Sequence, residues 1–357
     1  MKTKCLLLFS GGLDSILAAK ILMEQKIQVQ GITFKSYFFN AEQAKKAAKK
    51  IKLPLKIIDF SKEHFEMVKN PKYGYGKAIN PCIDCHLLML KTAKKILTKE
   101  KYDFIATGEV LGERPMSQNK SAMELLEKQS GLTGSLLRPL SAKLLEQTIP
   151  EKSGLINRKK LLDISGRQRI KQLALVKKYK IKEYPTPSGG CLLCDLEFSK
   201  RLKNLWQICP NCAGNDIELL KYGRHFWYNL AESRLAGFNP ASLNPVNWAG
   251  GVKPRQPTMV KIIVGRNEQE NKQIKNCAKS GLGQQKDILI EMKNYAGPIT
   301  LIKNYGSPLS KIQKPKLIQE AKKLTQYYSL KSRDKKDVKF NLSLRGATHR
   351  KRRSNLV

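Results

Sequence analysis

Two sets of residues in this chain have the types and spacing to do chemistry. One is the run Ser10-Gly11-Gly12-Leu13-Asp14-Ser15; the other is three Cys-x-x-Cys pairs, Cys82/Cys85, Cys191/Cys194 and Cys209/Cys212. The first suits a phosphate cradle. Its glycines let the backbone approach an anion, Ser10 and Ser15 add hydroxyl donors, and a helix starting there presents its positive end. Asp14 would hold a magnesium ion bridging the phosphates. The alternative is a tight strand–helix turn with an Asp/Ser cap, but all six letters placed after a first strand favour the nucleotide. Paired cysteines in a reducing compartment point to metal or redox chemistry rather than structural disulfides. Cys5, inside an apolar run, and Cys277, without a partner in sequence, are read as core.

Positioning these groups requires a sheet. Residues 4–9 form a short apolar run of the kind buried on both faces of a parallel sheet. Further strands are expected over 29–34, 55–60 and 103–107, alternating with helices over 14–23, 42–51 and 84–97. The pattern predicts a doubly wound parallel α/β sheet. Thr33 and Phe34 would end the second strand and Thr107 and Gly108 the fourth, at the carboxyl ends where such sheets bind ligands. Thr33 and Phe34 are therefore candidate adenine-edge contacts, with a core role as the alternative for Phe34. From there to about 185 the chain reads as mostly helical, clearest over 167–179, and the run 185–190 is a Pro/Gly loop. A second, smaller α+β unit begins near Asp216, with a strand over 259–264.

The global charge is large: 67 Lys and Arg against 29 Asp and Glu give +38 over 357 residues. Nucleic acid is the usual polyanion that offsets such self-repulsion. No apolar stretch approaches the roughly 18 residues of a membrane span, and the first apolar run is too short for a signal peptide. A cytoplasmic protein without a membrane partner is expected.

The loop Ser10–Ser15 resembles that of the PP-loop ATPases of the adenine nucleotide alpha-hydrolase type, which split ATP to AMP and pyrophosphate and adenylate a carbonyl or carboxylate oxygen. Asn80-Pro81-Cys82-Ile83-Asp84-Cys85, followed by a helix and Asp103-Phe104-Ile105-Ala106-Thr107-Gly108, resembles the order in MnmA-type tRNA 2-thiouridylases. The glycine-rich approach to Cys191 is similar to the segment carrying their second active-site cysteine. The span to about 200 also resembles the ATPase domain of ThiI-type tRNA 4-thiouridine synthetases. In these enzymes the residue after Thr-Gly is commonly His; here it is Glu109.

The resemblance implies ATP-dependent tRNA uridine thiolation, with tRNA and a sulfur donor (a cysteine desulfurase, a carrier or free sulfide) as partners. Two mechanisms would use the cysteines. In one, Cys191 carries a persulfide that Cys82 or Cys85 resolves. In the other, Cys82, Cys85 and Cys191 hold three irons of a [4Fe–4S] cluster, leaving the fourth open. A structural alternative is zinc: 14 residues separate Cys194 of the second pair from Cys209 of the third, near ribbon spacing. A compromise leaves Cys191 in the active site, with Cys209 and Cys212, alone or joined by Cys194, on zinc or on no metal.

In the C-terminal half, Lys221-Tyr222-Gly223-Arg224-His225-Phe226-Trp227-Tyr228 and Val264-Gly265-Arg266-Asn267-Glu268 resemble the RNA-binding segment of NFACT proteins. Arg224, His225, Trp227 and Arg266 interleave cations and aromatics, a combination suited to phosphate contact and base stacking. Packing on one face of a strand is the alternative for the aromatics. Arg350, Lys351, Arg352 and Arg353 would add affinity without sequence specificity. Expected boundaries are a PP-loop domain over 1–170, a cysteine-bearing connector over 171–214, an NFACT-like domain over 215–310 and a basic tail over 311–357. The product is expected to be 4-thiouridine rather than 2-thiouridine. A ligase or amidotransferase, or a non-catalytic zinc-stabilised RNA-binding protein, are the other classes.

Overall fold

Cys5, Leu6 and Leu7 follow a lysine-rich start, and so short an apolar run is buried on both faces only between neighbouring strands. The computed structural model describes residues 2–185, 190–212, 214–236, 259–279, 287–305 and 308–345. In it the run is β1 (Lys4–Leu8), and the three residues are fully buried. With β2 (Gln28–Lys35), β3 (Leu55–Asp59), β4 (Phe104–Thr107) and β5 (Leu136–Leu137) it makes a parallel sheet in the order β3-β2-β1-β4-β5. The order reverses between β1 and β4, and the crevice beyond their carboxyl ends is where such a sheet takes a ligand.

Between the strands run α1 (Leu13–Glu24), α2 (Glu42–Ile51), α3 (Ser61–Lys69) and α4 (Cys82–Glu100); α5 (Lys120–Ser130), α6 (Ile149–Lys152) and α7 (Ile170–Lys178) follow β4. Alternation along β1 sorts them into two layers. Cys5 and Leu7 pack with α1, α2 and the partly buried Leu175 and Val176 of α7, whereas Leu6 packs with Leu87 and Leu90 of α4 and Leu126 of α5. α1 is apolar nearly all round and buried from Leu13 to Leu22 apart from Asp14 and Lys20. Its first turn is thereby fixed against the sheet.

Sequence periodicity locates the first four strands to within two residues. It misses α3, whose buried His64, Phe65 and Val68 are spread over one short helix read as loop. It also overstates helix after β4: β5 has two residues, too few to show a period of two. His64 lies in an aromatic nest, its ring centroid 4.9 Å from Phe60, 5.3 Å from Phe39 and 5.6 Å from Phe38. Neither of its ring nitrogens has a hydrogen-bond partner, and burial pushes its pKa down to about 4.

The chain divides into two compact units, Met1–Ser199 and Lys200–Val357, the division falling inside α8 (Leu196–Ile208). The second unit contains α9 (Gly214–Leu219) and an antiparallel sheet of β6 (Arg224–Asn229), β7 (Arg234–Ala236), β8 (Met259–Val264), β9 (Asp287–Met292), β10 (Thr300–Asn304) and β11 (Phe340–Arg345), ordered β11-β9-β10-β8-β6-β7. α10 (Glu268–Lys279) covers the face of Ile263, Leu289 and Leu301, and α11 (Gln313–Tyr327) the face of Ile262, Ile290 and Ile302. The segment expected to be a basic tail from 311 is therefore part of this fold as far as 345. Lysines on the outside of α11 hide the buried Leu317, Ala321 and Thr325, and β11 pairs with β9 from Phe340 to Arg345. Arg350, Lys351, Arg352 and Arg353 lie outside the described residues. Among the described residues no helix is long and apolar enough to cross a membrane.

Candidate active site

Ser10 to Ser15 leave β1 at the sheet reversal and turn into α1. Gly11 has φ +76°, and a Cβ there would stand 2.7 Å from the backbone of Gln43 and Ala44. Only glycine meets both demands. Gly12 caps α1 without a side-chain hydrogen bond, so the first-turn N–H groups are left to an anion. Ser10 Oγ accepts from the Gly12 amide at 3.2 Å, and Ser15 Oγ donates to the Gly12 carbonyl at 2.8 Å. From the neighbouring strand, Thr107 leads into Gly108, where a Cβ would sit 2.6 Å from Ser15 Cα and N. β4 thus reaches the loop at backbone contact distance. β1 stops at Leu8 opposite Ile32, so Thr33 and Phe34 extend past it at the rim. The Phe34 ring is core, 5.0 Å from Phe60, which leaves only its backbone to meet a base.

Asp14 Oδ1 is buried with no hydrogen-bond partner, and Oδ2 lies 3.6 Å from Arg169 Nη2. Arg169 also donates to Glu113 Oε1 at 2.8 Å. Burial and then the Glu113 charge push the Asp14 carboxyl above its usual range, with Arg169 opposing. An orphaned carboxylate oxygen beside a phosphate cradle fits a divalent cation. Arg169 and Glu113 escape sequence reading because they lie in irregular segments distant from the loop.

Glu109, at the position where the thiouridylases this loop resembles commonly carry His, is buried and faces inward. It accepts from Arg138 Nε at 3.0 Å and Thr107 Oγ1 at 3.0 Å, and His86 Nδ1 lies 3.2 Å away. Arg138 also pairs with Glu127. Burial opposes ionisation of Glu109, but Arg138 and then His86 overcome it and hold its carboxyl down to about 2.

In a parallel α/β sheet each helix starts at the carboxyl rim, and the first residue of α4 is Cys82. The preceding loop is stapled there: Asp84 accepts from the Lys72 and Tyr73 amides, both at 3.0 Å. Asn80 Nδ2 donates to Cys82 Sγ at 3.3 Å. The second pair arrives on a 3-10 turn over Leu192–Cys194. The Leu192 amide donates to the Phe38 carbonyl at 3.0 Å, and Phe198 packs on Phe38 with centroids 6.1 Å apart. The structure thereby brings Cys82, Cys85, Cys191 and Cys194 within electrostatic reach of one another.

The four thiols differ. Burial pushes the Cys82 and Cys85 thiols up. Cys191 is pushed up by donating a hydrogen bond to Cys194 and by burial; Cys194, exposed, is pulled down by that bond and by Arg114. Of the four, the accessible sulfur is the one whose thiolate form is favoured. Cys194, expected on zinc, stands instead with the other three. Cys209 and Cys212 form a turn in the second unit, the Cys212 amide donating to the Cys209 carbonyl at 3.1 Å. As the side chains stand, no group of three or more His, Cys, Asp or Glu among the described residues is placed to hold a metal ion.

In the second unit Glu270 joins the two segments proposed for RNA: it accepts from the Gly223 amide at 3.0 Å and from Arg266 Nε at 2.9 Å. The Arg224 guanidinium lies 4.4 Å over the Tyr328 ring. Trp227 is 5% exposed and packs against the buried Lys261, and both His225 ring nitrogens are buried. Trp227 and His225 are therefore core rather than base-stacking groups: alternation on a central strand turned them inward. Arg224 and Arg266 stay at the surface.

The first unit is an α/β domain with a PP-loop at its sheet reversal. Its residues 1–149 match the family model for the thiamine biosynthesis protein ThiI, and residues 253–354 match that for the NFACT protein RNA binding domain. The tRNA-specific 2-thiouridylase MnmA of Sulfurimonas denitrificans is 35% identical over 122 residues, covering 30% of this chain and 35% of the relative. That of Rhizobium rhizogenes is 30% identical over 135 residues, 32% and 33% of the two chains. The chain thus spans about a third of the length of these curated relatives. Among solved structures, a predicted subunit of tRNA methyltransferase from Methanocaldococcus jannaschii aligns with TM-score 0.32 at 17% identity over 49% of this chain and 76% of that one. A 4-thiouridine synthetase–RNA complex with bound ATP aligns with TM-score 0.30 at 16% identity, over 50% of each chain.

Proposed function

We propose that this protein thiolates a tRNA uridine, using ATP to make the carbonyl oxygen a leaving group. The observation that carries this reading is that the phosphate loop and four thiols occupy the same carboxyl rim of one sheet. Adenylation at Ser10–Ser15 releases pyrophosphate; Asp14 would hold a magnesium ion there, which would offset charge on the phosphates. A persulfide on Cys191 then attacks the activated carbon and AMP departs. The ionised Cys194 attacks the inner sulfur, the bond to the outer sulfur breaks, and its electron pair leaves with the thiouridine. A Cys191–Cys194 disulfide remains, to be reduced by an external dithiol. Cys194 replaces Cys82 and Cys85 as resolving thiol in this scheme because both of theirs are held protonated.

Were a [4Fe–4S] cluster bound, Cys82, Cys85 and Cys191 would hold three of its irons and it would supply an iron for hydrosulfide. The sulfur donor set suits it in kind, but Cys194 alongside offers a fourth thiolate and fills the open position, which favours the persulfide. Cys209 and Cys212 lie in the second unit, and no step is assigned to zinc. The resemblance to ThiI-type synthetases favours 4-thiouridine, while the curated relatives are 2-thiouridylases; the NFACT match supports RNA capture by the second unit, through Arg224 and Arg266. Nucleoside mass spectrometry of tRNA from a deletion strain tests this: loss of 4-thiouridine is expected. Unchanged 4-thio- and 2-thiouridine would refute it, and loss of 2-thiouridine alone would correct the ring position.

A further inference from the structure

Arg169 has an unusual position. It stands between two carboxylates from separate parts of the chain, 3.6 Å from Asp14 Oδ2 in the phosphate loop and 2.8 Å from Glu113 Oε1 in the turn after β4. Nothing in the loop sequence calls for the second carboxylate. Beside them lies Gln172, from α7, fully buried, its carboxamide directed at the Asp14 carboxylate. Asp14 Oδ1 is buried with no hydrogen-bond partner, and an unsatisfied buried carboxylate oxygen marks a place where a ligand completes the bonding.

Two carboxylates, one amide and an adjacent phosphate cradle are the oxygen set of a magnesium site: Mg²⁺ takes one or two carboxylates and completes its shell with phosphate oxygens and water. Arg169 occupies the charge position of that ion but cannot supply its octahedral geometry.

We propose that Glu113 and Asp14 together hold the divalent cation that enters with the nucleotide, and that Arg169 is an internal substitute cation. It holds the two carboxylates together in the nucleotide-free protein and passes to the phosphates when the ion arrives. Without Arg169 the carboxylates repel each other; with both the ion and an unmoved Arg169, three cationic charges would crowd two acids. Exchange therefore moves the guanidinium toward the incoming polyphosphate. This rests on the ATP reading of the loop but assigns two residues that the loop does not name.

The test uses the full chain and Mn²⁺, observed by electron paramagnetic resonance, with and without α,β-methylene ATP. The wild type should bind Mn²⁺ tightly only with the nucleotide present. Glu113→Gln should weaken that binding at least about tenfold without weakening nucleotide affinity in EDTA. Arg169→Gln should do the opposite in the absence of nucleotide, exposing two unpaired carboxylates and raising Mn²⁺ affinity at least about tenfold. A purely structural salt bridge would not give that gain. Wild-type Mn²⁺ affinity in Glu113→Gln, or no gain in Arg169→Gln, overturns the proposal. A wild type that binds no nucleotide with or without metal overturns the ATP reading as well, and so distinguishes the two failures.

Discussion

Replacing Glu109 by glutamine keeps its shape and removes its charge, and the cost can be worked in two ways. Arg138 is 2% exposed, and after the change it keeps only Glu127 as an ionic partner. Removing one partner of a buried pair costs about 3–5 kcal/mol. Independently, a carboxyl held at about 2 instead of its usual 4.5 represents about 3 kcal/mol of linkage. Both routes predict that Glu109→Gln destabilises the first unit by about 3 kcal/mol at pH 7. The sign follows from the depressed pKa: the contribution is complete above about pH 4.5 and is lost as the pH falls through 2, so by pH 3 the gap to wild type should have shrunk to about half. Urea unfolding followed by pulsed alkylation of Cys5 reports on this unit, since that thiol is fully buried in it. Glu109→Gln combined with Arg138→Met should recover much of the loss by removing the stranded guanidinium. A cost under about 1 kcal/mol at pH 7, or a gap that does not change with pH, would refute the reasoning.

Three more outcomes follow from the geometry. His64 is held neutral, its pKa lowered to about 4, so its stabilising contribution is present above about pH 6.5 and is lost on acidification toward 4. About 2 kcal/mol should go between pH 7 and 5, and His64→Phe should flatten that slope in pH-dependent urea titrations. Cys194 should be the first of the rim cysteines alkylated by iodoacetamide at neutral pH. Cys191→Ala should slow it by removing the stabilising hydrogen bond, as peptide mass mapping would show. Gly108→Ala places a Cβ against the Ser15 backbone and should weaken nucleotide binding at least about tenfold, whereas Gly74→Ala, with positive φ but open space, should cost only about 1 kcal/mol of stability. Isothermal titration with ATP separates the two.

The parts of the site legible in the sequence are those made by contiguous residues. Ser10 to Ser15 carry their own geometry, and the burial of Cys5 to Leu7 on both faces fixes a parallel sheet around them. The cysteine pairs were visible as pairs, but which pairs meet depends on the Leu192–Phe38 hydrogen bond and the Phe198–Phe38 contact, which leave no local pattern. Glu109 read as a departure from the family because its partners, Arg138 and His86, are 29 and 23 residues away. Trp227 and His225 pointed the other way: their types suited RNA, and their position on an interior strand turned them inward.

The turn after β4 has one more consequence. Glu113 faces Arg169 and the phosphate loop, while its neighbour Arg114 lies in the field of Cys82 and Cys194, and Met116 is 3.9 Å from Asn80, which holds Cys82. Consecutive residues of one turn thus face the phosphate loop and the thiols. A backbone shift that releases Glu113 from Arg169 displaces Arg114 with it, and so weakens one of the influences that lower the Cys194 thiol. In the proposed reaction this turn would couple activation to sulfur transfer.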